Sequence, residues 1–152
     1  MYKRGITLIE ILLGVGIILL LLAAATPIYG NLFVARQLGE TTEELVQTLR
    51  MARVQSIAGL GNNAFGVYFN VNPGPDSYTL YEGASYALRI AANDRTITLD
   101  AALSLASTLP GNDINFSKIF GVPSGTGQLQ IKSSSGEIER VTINSIGTVQ
   151  VE

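Results

Sequence analysis

Glu10 lies inside an apolar run that extends from Ile6 to Ile28, in the stretch KRGITLIEILLGVGIILLLL over residues 3–22. A charged carboxylate at the centre of a membrane-spanning helix costs about 2.5–3.5 kcal/mol on insertion scales, and less near the interface. Such a group has two outlets: it reaches back to water, or it pairs with a cation. Catalytic chemistry has little to draw on elsewhere. The chain contains no His and no Cys, which removes every imidazole- or thiolate-based arrangement and most transition-metal sites. Asp76, Asp94, Asp100 and Asp113 stand at turn positions or strand ends, where Asp is favoured for its local backbone hydrogen bonds, and they read as solvated turn aspartates. No run of spaced oxygen ligands suggests a calcium loop. No catalytic residue, metal site or cofactor is expected, and the chain is not expected to be an enzyme.

The 152 residues suffice for one modest domain and a tail. Apolar residues make up 47% and charged residues 14%, a greasy balance whose excess is concentrated between Ile6 and Ile28. Net charge is −2, and Lys3-Arg4 is the one basic cluster, which argues against DNA or RNA as a main partner. Without cysteine no disulfide holds the fold, and the redox compartment leaves no trace in the composition.

From Ile11 to Ala25 no residue is charged or strongly polar. As a helix, Ile6 to Ile28 spans about 33 Å, matching a hydrocarbon core of about 30 Å. Lys3 and Arg4 in front of it place the N-terminus in the cytoplasm and the remainder outside. Three readings compete. A secretory signal would use the small residues of LLAAATP, 21–27, as a cleavage site. A plain membrane anchor fits the length and leaves Glu10 as an interfacial residue without a role. The third reading accounts for the basic pair, the glycine and the glutamate together.

The segment KRG-ITLIE resembles the processing site of the type IV pilins and type II secretion pseudopilins. The resemblance covers roughly the first thirty residues. It implies cleavage by a prepilin peptidase after Gly5, a new N-terminus at Ile6 that becomes N-methylated, and Glu10 as the fifth mature residue. Pro27 then falls where many members of the family carry a helix-kinking proline. Ile6 departs from the commonest residue there, phenylalanine, but keeps its apolar character. The resemblance also implies a job for Glu10 in subunit assembly. Its carboxylate would pair with the Ile6 ammonium of a neighbour or of its own chain. Desolvation cancels much of that gain, so the pair acts as a register device more than as glue. Gly14 and Gly16 read as ordinary membrane-helix glycines.

Beyond Gly30 the pattern changes. Leu38, Leu45, Leu49 and Ala52 recur at i, i+7, i+11 and i+14, a one-sided helical stripe, with Arg36, Glu40, Glu43, Arg50 and Arg53 largely off it. GLGNN, 59–63, is a helix stop; it also fits a glycine-rich nucleotide pattern, but it follows a helix instead of a strand. A helix from Ile6 to Ala58 would be about 80 Å long. Seven β-branched or aromatic runs follow, at 64–71, 77–83, 95–99, 113–121, 127–134, 137–145 and 147–152, separated by turn signals. The stretch AALSLAST, 101–108, fits a strand or a short helical turn. Expected inward-facing residues are Val67, Phe69, Leu80, Ile97, Leu99, Phe116, Leu129, Ile131, Val141, Ile143, Val149 and Val151. Tyr68, Tyr78, Tyr81 and Tyr86 read as sheet residues or, alternatively, as an exposed contact patch.

The expected fold is α+β: one long N-terminal α-helix, membrane-spanning in its first half, with an antiparallel β-sheet head packed on its second half. The segments are a leader at 1–5, an assembly helix at 6–29, an amphipathic half at 30–60 and a β-rich head at 61–152. Loose patterns in the head resemble the minor, H-type or FimT-like members of the same family. Some of these take up DNA through a basic C-terminal region. Here Arg140 stands against Glu137, Glu139 and Glu152, which speaks against that role. The resemblance implies a pilus or pseudopilus subunit, held in the inner membrane before assembly with its head outside the cytoplasm. Implied partners are other pilin or pseudopilin subunits, the prepilin peptidase, the inner-membrane assembly platform and membrane lipid. The rival reading is a monomeric membrane-anchored module whose head binds an extracellular ligand.

Overall fold

The computed structural model describes residues 7–71 and 74–152, with the side chains of 24–31 left out of the description. Helix α1 spans Leu8–Ala58. Eight strands follow: β1 (Phe65–Asn70), β2 (Ser77–Glu82), β3 (Arg95–Thr98), β4 (Leu103–Ser107), β5 (Asp113–Phe116), β6 (Gly127–Ser133), β7 (Ile138–Ile143) and β8 (Val149–Val151). The chain divides into two compact units, Met1–Phe33 and Val34–Glu152. In the first, every large apolar side chain from Leu8 to Leu22 is exposed.

The second unit is built on the helical stripe. Leu38, Leu45, Leu49 and Ala52 are all buried, as their spacing predicts, and Thr42 and Ser56 extend the same stripe. Their hydroxyls donate to the carbonyls one turn back, Thr42 to Leu38 and Ser56 to Ala52, each at 2.9 Å. That back-bonding lets a polar side chain enter a core without an orphaned donor. The helix stops at Gly59, whose φ of 64° is the left-handed conformation that ends helices and that GLGNN predicts.

The head contains two four-stranded antiparallel sheets, ordered β3-β2-β1-β5 and β4-β6-β7-β8, where the sequence suggested one. The core joins the helical stripe to Val67, Phe69 and Phe116 of the first sheet and Leu129, Ile131, Val141 and Ile143 of the second. The ambiguous AALSLAST run supplies β4, which completes the second sheet against β6. The run at 113–121 is strand only as far as Phe116; the Gly121 N–H then turns back to the Ser117 carbonyl at 2.8 Å. Two expected core positions differ. Ile97 is only partly buried, and Val151 is 50% exposed. Both lie on edge strands, β3 and β8, where one neighbour is missing and alternation no longer guarantees cover.

Strand β2 is buried at all six positions, on both faces. Tyr78 and Leu80 point into the core, while Tyr81 lies on the other face beneath Tyr86 of the connection to β3, ring centroids 5.7 Å apart. Gly66, opposite Tyr81 in the ladder, has no room for a Cβ because the tyrosine ring occupies that space. The connection is tied down by Glu82, which accepts from the Asn63 and Asn93 side-chain amides at 2.8 and 2.6 Å.

Ser56 joins three segments. Its Oγ accepts from the Phe65 N–H at 2.8 Å, and its carbonyl accepts from the N–H groups of Gly59 at 3.1 Å and Ile119 at 3.0 Å. Replacing it strands the buried Phe65 N–H. Ser56→Ala is expected to lower stability by about 1–3 kcal/mol, read as a shifted urea midpoint with unchanged m-value. The amide donors on Glu82 hold its carboxyl below its ordinary 4.5. A carboxyl so lowered favours the folded chain at neutral pH, and that contribution is lost as pH falls below 4.5 and through the lowered folded value. Glu82→Gln should therefore flatten the acid limb of the stability–pH curve; an unchanged slope would rule this out.

Candidate functional site

The first unit presents Glu10 in the opening turn of α1. A negative side chain there complements the positive end of the helix dipole. Thr7 precedes the helix, and its hydroxyl oxygen accepts from the Glu10 N–H at 3.4 Å, a long capping contact. The spacing of Thr7 and Glu10 is that of a capping box, Ser/Thr-x-x-Glu, a signal already present in the sequence. The position of Glu10 in the first turn thus gives it a local role at the helix start.

Gly5 and Ile6, the expected cleavage junction, lie outside the described residues; Pro27, the expected kink, falls within α1 in the stretch whose side chains are left out of the description. A Cβ added at Gly14 or Gly16 would meet nothing within 4 Å, so neither glycine serves a close approach within the chain. Among the described residues no helix is long and apolar enough to cross a membrane. The described side chains of the first unit nonetheless form an apolar surface on all sides from Leu8 to Leu22, with Glu10 as its one charge.

In the head, the four aspartates do more than the turn reading allows. Asp76 accepts from the Leu105 N–H at 2.6 Å, tying the start of β2 to β4 of the other sheet. Asp94 pairs with Arg89 at 2.6 Å. Asp113 accepts from the Tyr81 hydroxyl at 2.8 Å and is half-buried, and desolvation raises its carboxyl above the usual range. Burial likewise raises the Tyr81 phenol. Asp100 accepts from the Ala102 N–H at 2.9 Å in a local turn, as expected, and also has the Gln37 side chain of α1 as a partner; both hold its carboxyl below the usual range. Sequence reasoning missed the distant partners because each lies across a loop or on another element.

The tyrosines divide. Tyr78 and Tyr81 are fully buried, which removes them from any contact patch. Tyr68 stacks on Tyr86 at 3.9 Å between centroids, and the Arg89 guanidinium lies over the Tyr86 ring, 3.9 Å from its centroid. Arg89 also donates to the Tyr86 carbonyl at 2.8 Å. This cluster fixes the connection after β2 to the outer face of the first sheet. Arg50 and Arg53, which the sequence places largely off the apolar stripe, reach other segments of the head. Arg53 donates to the carbonyls of Gly121 at 3.2 Å and Ile146 at 2.9 Å, and Arg50 reaches the Val149 carbonyl at 3.4 Å. Among the described residues no group of three or more acidic side chains is placed to hold a metal.

No protein-family model matches the chain, and no curated protein matches it. Among solved structures it is similar to the minor pseudopilin EpsH from the type 2 secretion system of Vibrio cholerae, with a TM-score of 0.60 and 19% identity. The match covers 76% of this chain and 96% of that one. At this identity the likeness is one of architecture: the chain has the fold of a minor pseudopilin, a long N-terminal helix joined to antiparallel sheets.

Proposed function

We propose that the chain is a structural subunit of a type II secretion pseudopilus or a type IV pilus, and that it works by assembly, not by catalysis. The observation that carries this reading is the conjunction of a minor-pseudopilin fold with an exposed apolar helical segment bearing one acidic residue in its first turn. An apolar surface of that extent is not left to water; it is covered by lipid, by sister helices, or by each in turn.

In this reading the prepilin peptidase cuts after Gly5 and the new Ile6 amine is methylated, which keeps its charge. Residues 6–29 span the inner membrane until the assembly platform extracts them, with the head outside the cytoplasm. Among packed helices the Glu10 carboxylate meets the Ile6 ammonium. An unpaired carboxylate in hydrocarbon is costly, so registers that leave it alone are penalised. Pro27 removes one backbone hydrogen bond and supplies a joint in the helix. The chain fits the minor, H-type or FimT-like branch, without its DNA-uptake role, since Arg140 is outnumbered by Glu137, Glu139 and Glu152.

Glu10→Ala is expected to leave membrane insertion intact and to cut incorporation into sheared filaments by about tenfold or more, the effect of some 1.4 kcal/mol per contact. Equal incorporation of variant and parent would defeat the register argument. Gly5→Leu should block maturation, seen as a band that fails to shift on a gel when the peptidase is present. If the parent chain itself keeps Met1 and lacks N-terminal methylation in purified membranes, the monomeric anchored module is the correct reading instead.

A further inference from the structure

Where α1 ends, four segments meet and leave an apolar face uncovered. Arg53 donates to the Gly121 and Ile146 carbonyls and so holds the loops after β5 and β7 against the helix. Gly121 sits against the Ile57 side chain, and the Lys118 ammonium donates to the Asn62 side-chain oxygen in the turn after α1. Around these ties Phe120 is 76%, Ile146 66% and Val54 63% exposed, and Ile57, Leu60 and Ile119 are exposed beside them. The loop after β5 is not slack. Ile119 has a φ of 72°, where a β-branched residue is an outlier that persists only if its surroundings impose it. Two hydrogen bonds do so: the Ile119 N–H to the Ser56 carbonyl at 3.0 Å and the Gly121 N–H to the Ser117 carbonyl at 2.8 Å. Between them Phe120 is held out in solvent.

Charge decides what can cover this face. Arg50 and Arg53 line it together with Val54 and Ile57, and Lys118 stands beside Phe120 in the loop. Two carboxylates come near, and neither interrupts it. Glu43 is two turns back along α1, in a hollow shared with Arg50 and Val151. Glu82 has its oxygens engaged by the Asn63 and Asn93 amides. The apolar groups thus stand at the crest of fixed loops with cations around them. A surface enters the headgroup region of a bilayer by that arrangement: apolar area sinks toward the acyl chains while Lys and Arg meet the lipid phosphates.

We infer that this face of the head is a membrane contact in its own right: it docks on the surface of an anionic phospholipid bilayer. Phe120 and Ile146 enter the interface, and Arg50, Arg53 and Lys118 meet lipid phosphates. The inference rests on the reading that residues 6–29 lie in lipid, since that span supplies the bilayer. However the two units are disposed, α1 carries Val54 at most about 40 Å from residue 29, so the face stays near that surface. Such tethering raises the effective concentration of a surface that a weak contact alone would not hold. The contact keeps the unassembled head on the bilayer and is broken when the subunit is extracted.

The chain has no tryptophan, so Phe120→Trp puts a single indole at the crest. The full-length variant is reconstituted into vesicles of phosphatidylcholine alone or mixed with phosphatidylglycerol, in each case with brominated acyl chains. Its emission is expected to move to shorter wavelength and to be quenched in the phosphatidylglycerol vesicles, and to do neither in phosphatidylcholine. Ser134→Trp, at an exposed position one strand length from the β7–β8 turn, about 20 Å, should stay unquenched in both. In the Phe120→Trp background, Lys118→Gln removes one cation while keeping a donor for Asn62, and should weaken binding to phosphatidylglycerol roughly fivefold. Val54→Glu, a carboxylate at an exposed helix position, should abolish the quenching. Equal quenching in both lipids would overturn the choice of an anionic surface, and equal quenching at position 134 would overturn the choice of this face. An indole that stays in water while the chain floats with the vesicles would overturn the inference, leave the membrane span intact and point to a protein as the occupant. A chain that floats with neither vesicle would refute the span itself, and the inference with it.

Discussion

Burial of the stripe Leu38–Leu45–Leu49–Ala52 against two sheets at once organises the head. Each of those leucines is worth about 1.5–3 kcal/mol on full burial. The first sheet contributes Val67, Phe69 and Phe116, and the second contributes Leu129, Ile131, Val141 and Ile143. Neither sheet has a helix of its own to cover its inner face. The sheets are therefore held in common by the helix, and the stripe decides which residues of every strand face inward.

Polar groups then fix what burial alone leaves loose. Ser56 ties the helix end to β1 and to the loop after β5, and Asp76 ties β2 to β4. Glu82 gathers the turn after α1 and the connection after β2. Arg53 holds two further loops by their carbonyls. The Ser56 and Asp76 contacts satisfy backbone N–H groups at or near the core, where the penalty for an orphan exceeds the gain from an ordinary hydrogen bond.

The first unit obeys the opposite rule. Its described side chains from Leu8 to Leu22 are apolar in every direction but one, and within the unit nothing buries them. A helix that is apolar all round is at rest in lipid or among other helices. Glu10 stands in the first turn of that helix, where the positive end of the dipole favours its charge.

Local signals in the sequence determined the elements: the 3.6-residue stripe of α1, its stop at Gly59, and strands β1, β2, β3, β6, β7 and β8, whose alternation and turn residues act over neighbours in the chain. The odd glutamate and the glycine before the run were legible for the same reason, as residue types out of place at a fixed spacing. Tertiary structure alone decided that the strands form two sheets, that AALSLAST is a strand, that β2 is covered on both faces, that Ile97 is only partly buried and that Val151 is half exposed. It alone paired Asp113 with Tyr81 and Arg53 with Ile146, residues tens of positions apart. Periodicity reports which face of an element is apolar. Which surface meets that face depends on pairing between distant segments, and no local pattern encodes it.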